Sequence, residues 1–282
     1  MLVRKTPNYN LIIGCTLTAI TVSVIIAGFF WSPYDPDMMS GTEKSLAPSF
    51  AHLLGTDNFG RDILSRVIEG AGTTLTIAFF AVSIGAGFGT VIGGLTGYFG
   101  GLLDEIMMRI NDAVTAFPSM LLALVVVSIT GSGGTNLILV LGILFIPSFA
   151  RVVRGEFARQ RGMDYVKNAR LMGVRRMRIM FVHILPNIAP VLLSSVAIGF
   201  NNAVLAEASM SYLGLGVQRT ERVSLGRMLL DSQSYLFSAP WYALSAGCAI
   251  AILILGFALI SEGLGYRRIW RTAVKRRRKF HA

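Results

Sequence analysis

Six stretches of the chain are apolar over roughly the 20 residues that a helix needs to cross a bilayer. They are Leu11–Trp31, Leu75–Phe99, Ala113–Thr130, Leu137–Val153, Ile188–Leu213 and Trp241–Gly265. Of the 282 residues, 53% are hydrophobic and 15% charged, where a soluble domain averages about 25% charged. Such a surface needs lipid around it. The chain therefore reads as one all-α integral membrane domain with six transmembrane helices, not as a pair of soluble domains. Cys15 and Cys248 fall inside apolar runs and read as small buried hydrophobes, with no disulfide framework or metal set.

Basic residues are retained on the cytoplasmic side of a membrane. With the N-terminus inside, 20 of the 26 Lys and Arg fall there: Arg4, Lys5, Arg109, nine from Arg151 to Arg178, and eight from Arg267 to Lys279. The outer side receives Lys44, Arg61, Arg66, Arg219, Arg222 and Arg227. Both termini are thus predicted in the cytosol. This placement accounts for most of the net charge of +11, so the KRRRK run at 275–279 reads as an anchor on an anionic leaflet and not as a nucleic-acid site. The first run is too long for a signal peptide and lacks a small-x-small site near Trp31, so it reads as an uncleaved anchor. The resulting organisation is a tail and first span (1–31), an extracytoplasmic segment (32–73), a five-helix core (74–265) with a cytoplasmic loop (151–186), and a basic tail (266–282). The outer segments 32–73 and 214–240 mix acids and bases and are expected to fold over a pore mouth.

Within the spans, Gly85, Gly89, Gly93, Gly97 and Gly101 recur every fourth residue and share a helix face. Small residues let helices approach closely in lipid, and such a face could also shift during gating. Arg109 and Asp112 are spaced to pair on a helix, and Pro118 can kink the third span. Glu207 is the one acid well inside an apolar run. It lies about 30 Å along its span, near the outer face, where it could meet substrate or bond to a neighbouring element. Asn201 and Asn202 sit deeper and could line a polar path or bond between helices.

The loop from Asp164 to Asn187, DYVKNARLMGVRRMRIMFVHILPN, is basic and amphipathic. Met163–Met172 reads as a short helix with Tyr165, Ala169 and Met172 on one face, and Gly173 suits its end. Val174, Met177 and Met180–Phe181 suggest a second helix returning to the membrane, with Pro186 breaking the chain before the fifth span.

This loop resembles the EAA loop of ABC importer permeases, with Ala169, Gly173, Leu185 and Pro186 at the matching spacing. LGTDNFGRDILSR (Leu54–Arg66), MRINDAVTAFPSMLLAL (Met108–Leu124) and EASMSYLGLG (Glu207–Gly216) are similar to the dipeptide/oligopeptide/nickel subfamily. The likeness runs from about Pro33 to Gly265. It implies a type I importer permease fold, a second homologous permease, two cytosolic ATPases carrying ATP–Mg, and an extracytoplasmic solute-binding protein. It also implies a coupling role for Asp164, Tyr165, Lys167, Asn168, Ala169, Met172, Gly173 and Pro186, and peptides, nickel or metal chelates as cargo. Lys167 and Asn168 stand where the family has Glu and Ala. The sequence has no G-x-x-x-x-G-K-[ST] phosphate loop, so ATP would act from another chain, and no cofactor is expected on this one.

A channel or ion-coupled transporter would want ionisable groups or broken helices at the midplane; no strong charged pair lies there, only Asn201, Asn202 and Pro118. A membrane enzyme would want converging catalytic groups, but His52, His183 and His281 are scattered.

Overall fold

A computed structural model describes residues 9–218 and 222–280. Arg4, Lys5, Arg219 and His281 lie outside these, and side chains are described only as far as residue 264. The elements are α1 (Tyr9–Phe30), α2 (Ile63–Phe99), α3 (Gly101–Thr115), α4 (Ser119–Thr130), α5 (Gly134–Arg161), α6 (Asp164–Leu171), α7 (Arg176–Arg178), a π-helical segment (Ile179–Ile184), α8 (Leu185–Tyr212), α9 (Leu225–Ser232) and α10 (Pro240–Phe280). Five helices are long and apolar enough to cross a membrane, or six if α3 and α4, bent by 82°, form one span.

Several helices outrun their apolar runs. α2 has 37 residues, about 55 Å at 1.5 Å per residue, nearly twice a hydrocarbon core of about 30 Å. Its polar first turns are helical because Asp62 caps them, accepting from the Ser65 amide at 2.8 Å. α5 continues to Arg161 because its buried stripe of Phe149, Ala150, Val153 and Phe157 keeps helical spacing into the polar sequence. Arg159 and Arg161 in the last turn suit its C-terminal dipole. The first part of the expected 151–186 loop is therefore helix.

The centre of the molecule is the packing of α2 on α5. A Cβ on Gly85, Gly89, Gly93 or Gly97 would lie 2.6 Å from Phe145 Cβ, 2.5 Å from Phe149 Cβ, 2.4 Å from the Ala150 carbonyl and 2.4 Å from the Arg154 carbonyl, respectively. Gly101 stands apart, with open space around it. α1 lies on α10 in the same manner: a Cβ on Gly14 would be 2.7 Å from the Ile260 amide. Cys15 and Cys248 are both exposed on the chain, not buried; beside Cys15 it is Gly14 that turns inward onto α10.

The third apolar run is broken where Pro118, lacking an N–H, opens the chain between α3 and α4. Arg109 does not pair with Asp112. It turns to Glu105 at 3.2 Å, while Asp112 is taken by Arg151 of α5 at 3.0 Å. Asp104 accepts from Arg154 Nε and Nη2, at 2.5 and 2.7 Å. The acids thus strap α3 across α5.

Pro186 does not break the chain either. It enters the first turn of α8, and the backbone is helical from Arg176 to Tyr212. The wider π turn before it accommodates a residue that cannot donate. Asn187 Nδ2 donates to the His183 carbonyl at 2.7 Å beside it.

Candidate functional site

At the α9 end of the molecule the loop 55–66 folds on itself. Asp57 is fully buried and accepts from the amides of Phe59 (2.8 Å) and Arg61 (3.0 Å) and from Arg61 Nε (2.7 Å). Asp62 also binds His52 Nδ1 at 2.9 Å. Arg66 reaches the Pro36 carbonyl at 3.0 Å and Asp37 at 3.2 Å. Gly55 and Gly60 take φ of 77°, and a Cβ on Gly60 would sit 2.1 Å from the Ser40 carbonyl. The motif therefore closes a compact cap over the start of α2.

Glu207 belongs to this end. Its carboxyl is enclosed, accepting from Thr74 Oγ1 of α2 and Ser211 Oγ of α8, each at 2.7 Å, with Ser224 at the start of α9 as a third partner. It is a tie between three helices and not a surface at a pore mouth. The alternative named in the sequence, bonding to neighbouring elements, is the one the geometry displays. Asn201 likewise serves packing. With its amide oriented to satisfy both atoms, it donates to the Ile254 carbonyl of α10 (3.0 Å) and accepts from the Ala258 amide (3.2 Å).

Asn202 faces elsewhere, into an open cavity of about 470 Å³ between α4, α5 and α8. Ser119, Ser148, Ser195 and Ser209 share its lining with apolar groups such as Leu144 and Phe149. The lining holds hydroxyls, one amide and no charged side chain. The serines were not singled out in the sequence, although Ser195, Asn202 and Ser209 recur every seven residues, a helix-face spacing. Hydroxyls of this kind are masked in sequence because serine also bonds its own helix, as Ser209 does to the Leu205 carbonyl at 2.7 Å.

At the opposite end, α6 lies on the tips of α2, α5 and α8. Val166 and Ala169 are buried among Tyr98, Phe157, Ile179 and Ile184. Tyr165 is half-buried and donates to Gln160 Oε1 at 3.0 Å; burial pushes its phenol upward, partly offset by a bond to Asn187. Gly173, at φ of 75°, ends the helix: its amide bonds the Arg170 carbonyl and that of Val174 bonds the Ala169 carbonyl, a Schellman pattern. Met172 does not share the Tyr165–Ala169 face. The helix stops at Leu171, so Met172 leaves the periodicity and stands 76% exposed beside Leu171 at 86%. Asp164, Lys167 and Asn168 are exposed, with Lys167 Nζ 3.5 Å from Asp164.

Crossing helices, a broken span, an uncharged cavity and a surface helix seated on the helix tips make up the architecture of a multi-pass membrane protein. Residues 89–266 match the model of the binding-protein-dependent transport system inner membrane component. The dipeptide transport system permease protein DppC of Haemophilus influenzae is 35% identical over 263 residues, 91% of this chain and 89% of its own. The corresponding protein of Alkalihalophilus pseudofirmus is 40% identical over 218 residues, 77% of this chain and 71% of its own. The glutathione transport system permease protein GsiD of Pectobacterium atrosepticum is 38% identical over 248 residues, covering 86% and 82%. An inward-facing structure of the MetNI methionine ABC transporter superposes with a TM-score of 0.58 at 21% identity, over 74% of this chain and 97% of that one. The chain belongs to the binding-protein-dependent transport system inner membrane component family, and is a multi-pass ABC importer permease of the bacterial inner membrane.

Proposed function

We propose that this chain pairs with a second, related permease to form a translocation path for small peptides, and that α6 is the coupling helix on which a cytosolic ATPase acts. The observation that carries this reading is the α6 geometry. One face is buried in the helix tips, the other presents Leu171, Met172 and Lys167, and the backbone runs on through the π turn into α8. A push on α6 would be delivered directly to the helix that lines the cavity. With the basic loop, α6 and both termini in the cytosol, as the charge distribution favours, ATP closure of the partner dimer would supply that push, and a binding protein would deliver cargo at the α9 end.

Peptides are favoured over nickel or metal chelates because the cavity offers hydroxyls and an amide suited to peptide groups, and no His, Cys, Asp or Glu. The named relatives carry dipeptides and glutathione. The cavity is open on the isolated chain, and a second permease would close it.

Gly173→Val tests the coupling role. A Cβ there meets nothing within 4 Å, so the change acts through the positive φ. Membrane insertion is expected to persist while cargo-stimulated ATP hydrolysis by the co-purified ATPase falls. Uptake that continues without any ATPase partner would sink the importer reading.

A further inference from the structure

A cleft of about 390 Å³ opens beside α6, lined by Tyr98, Phe99, Arg161, Arg170, Gly173 and Arg176, with Val174 at its edge. Three guanidinium groups border it and no acid does. Acids on neighbouring helices are already engaged: Asp104 by Arg154, Glu156 by Arg159 and Asp164 by Lys167. Arg161 uses one nitrogen on the Phe99 carbonyl (3.2 Å). Arg170 uses its Nε on the Tyr98 hydroxyl (3.3 Å) and lies 4.9 Å from that ring's centre. Among the described residues no further bond engages their remaining N–H groups, and no ion pair engages Arg176.

These arginines do more than neutralise helix ends. α2, α5 and α6 all terminate here, and each C-terminus contributes about half a negative charge. Three full positive charges exceed that, leaving a surplus that favours an anion. The depth is set by the neighbours. Tyr98 and Phe99 meet edge to face at 5.3 Å where the apolar run of α2 ends, a setting typical of the membrane interface. α3 begins beside the cleft and leaves Leu102, Leu103, Ile106 and Ile110 exposed, as an interface-lying helix does.

We propose that this cleft binds phosphate through paired guanidinium N–H groups, and that the phosphate is the headgroup of an anionic phospholipid in the leaflet beside α6. Guanidinium forks match phosphate oxygens, and the headgroup depth selects the lipid over phosphate free in solution. The occupied cleft would fix the tips of α2 and α5 against α6, so the lipid would be a structural part of the region on which α6 acts.

The test is native mass spectrometry of the full chain in detergent, delipidated and then titrated with phosphatidylglycerol, phosphatidylcholine or inorganic phosphate. A basic side chain near an anionic surface is worth about fivefold in occupancy, so Arg161→Gln with Arg176→Gln should cut phosphatidylglycerol binding about twenty-five-fold and leave phosphatidylcholine unchanged. Arg109→Gln, outside the cleft, should behave as wild type. Should the double variant misfold, the single Arg176→Gln, which removes no bond seen here, should still cost about fivefold. Inorganic phosphate saturating the delipidated protein, with no further gain from phosphatidylglycerol, would overturn the lipid source. Equal phosphatidylglycerol binding by wild type and variants would overturn the site. So would loss of ATPase retention alone on Arg176→Glu, which would assign the arginines to acidic side chains of a protein partner.

Discussion

The two ends of α2 handle charge in opposite ways. At the α9 end, Asp57, Arg61 and Arg66 are buried and paired, and the buried Asp62 is held by His52 and Ser65. At the α6 end, Lys167, Arg161, Arg170, Arg175, Arg176 and Arg178 are exposed, and the Lys167–Asp164 ion pair of α6 is surface-laid. Buried charge is retained only where partners satisfy it, so the first end is a fixed cap. Exposed, unmatched basic charge costs little in the isolated chain and leaves electrostatic attraction for something else to use. One end is satisfied within the chain; the other leaves its basic charge for the proposed partners to engage.

The contrast can be broken from either side. The largest effect is expected at Asp57→Ala, which strands Arg61 in a buried setting and leaves Arg66 only Asp37 and the Pro36 carbonyl. A loss of about 3–5 kcal/mol should appear as a lowered Tm in detergent and reduced yield in the membrane. A variant that melts like wild type would show that the cap is not internally fixed. Glu207→Ala should come next. It removes the acceptor for the Thr74 and Ser211 hydroxyls, at roughly 1–3 kcal/mol for each donor left unpaired. Thermal melts should drop, whereas peptide selectivity, measured by competition uptake, should stay the same. A change in selectivity with an unchanged melt would return Glu207 to the path. The smallest stability effect belongs to Lys167→Glu, within about 0.5 kcal/mol because the pair is solvent-exposed. Coupled ATP hydrolysis should nevertheless change. If both hydrolysis and assembly are untouched, Lys167 is outside the docking surface.

Most of the fold was legible because a bilayer imposes long apolar runs. The glycine stripe on α2 was legible too, since a fourfold spacing on one face leaves few outlets besides another backbone. The failures share a cause. Pro186 was read as a break and Arg109–Asp112 as a pair from local rules, but a π turn absorbed the first and Arg151 of another helix won the second. Glu207 looked like a solitary charge because Thr74 and Ser224, which satisfy it, are far away in the chain and unremarkable alone. The cavity serines were missed because a hydroxyl carries no sequence signature until its helix face is known.

The buried charge knot of the 55–66 loop also has a consequence for biogenesis. With the α9 end outside, segment 32–73 crosses the membrane during insertion carrying six acids and three bases, a net charge of −3. An interior-negative potential assists that export by about 2.3 kcal/mol per charge per 100 mV. Once across, Asp57, Arg61 and Arg66 close on one another, and return would require opening those pairs against the field. With the α9 end outside, the buried knot would oppose reversal of that orientation.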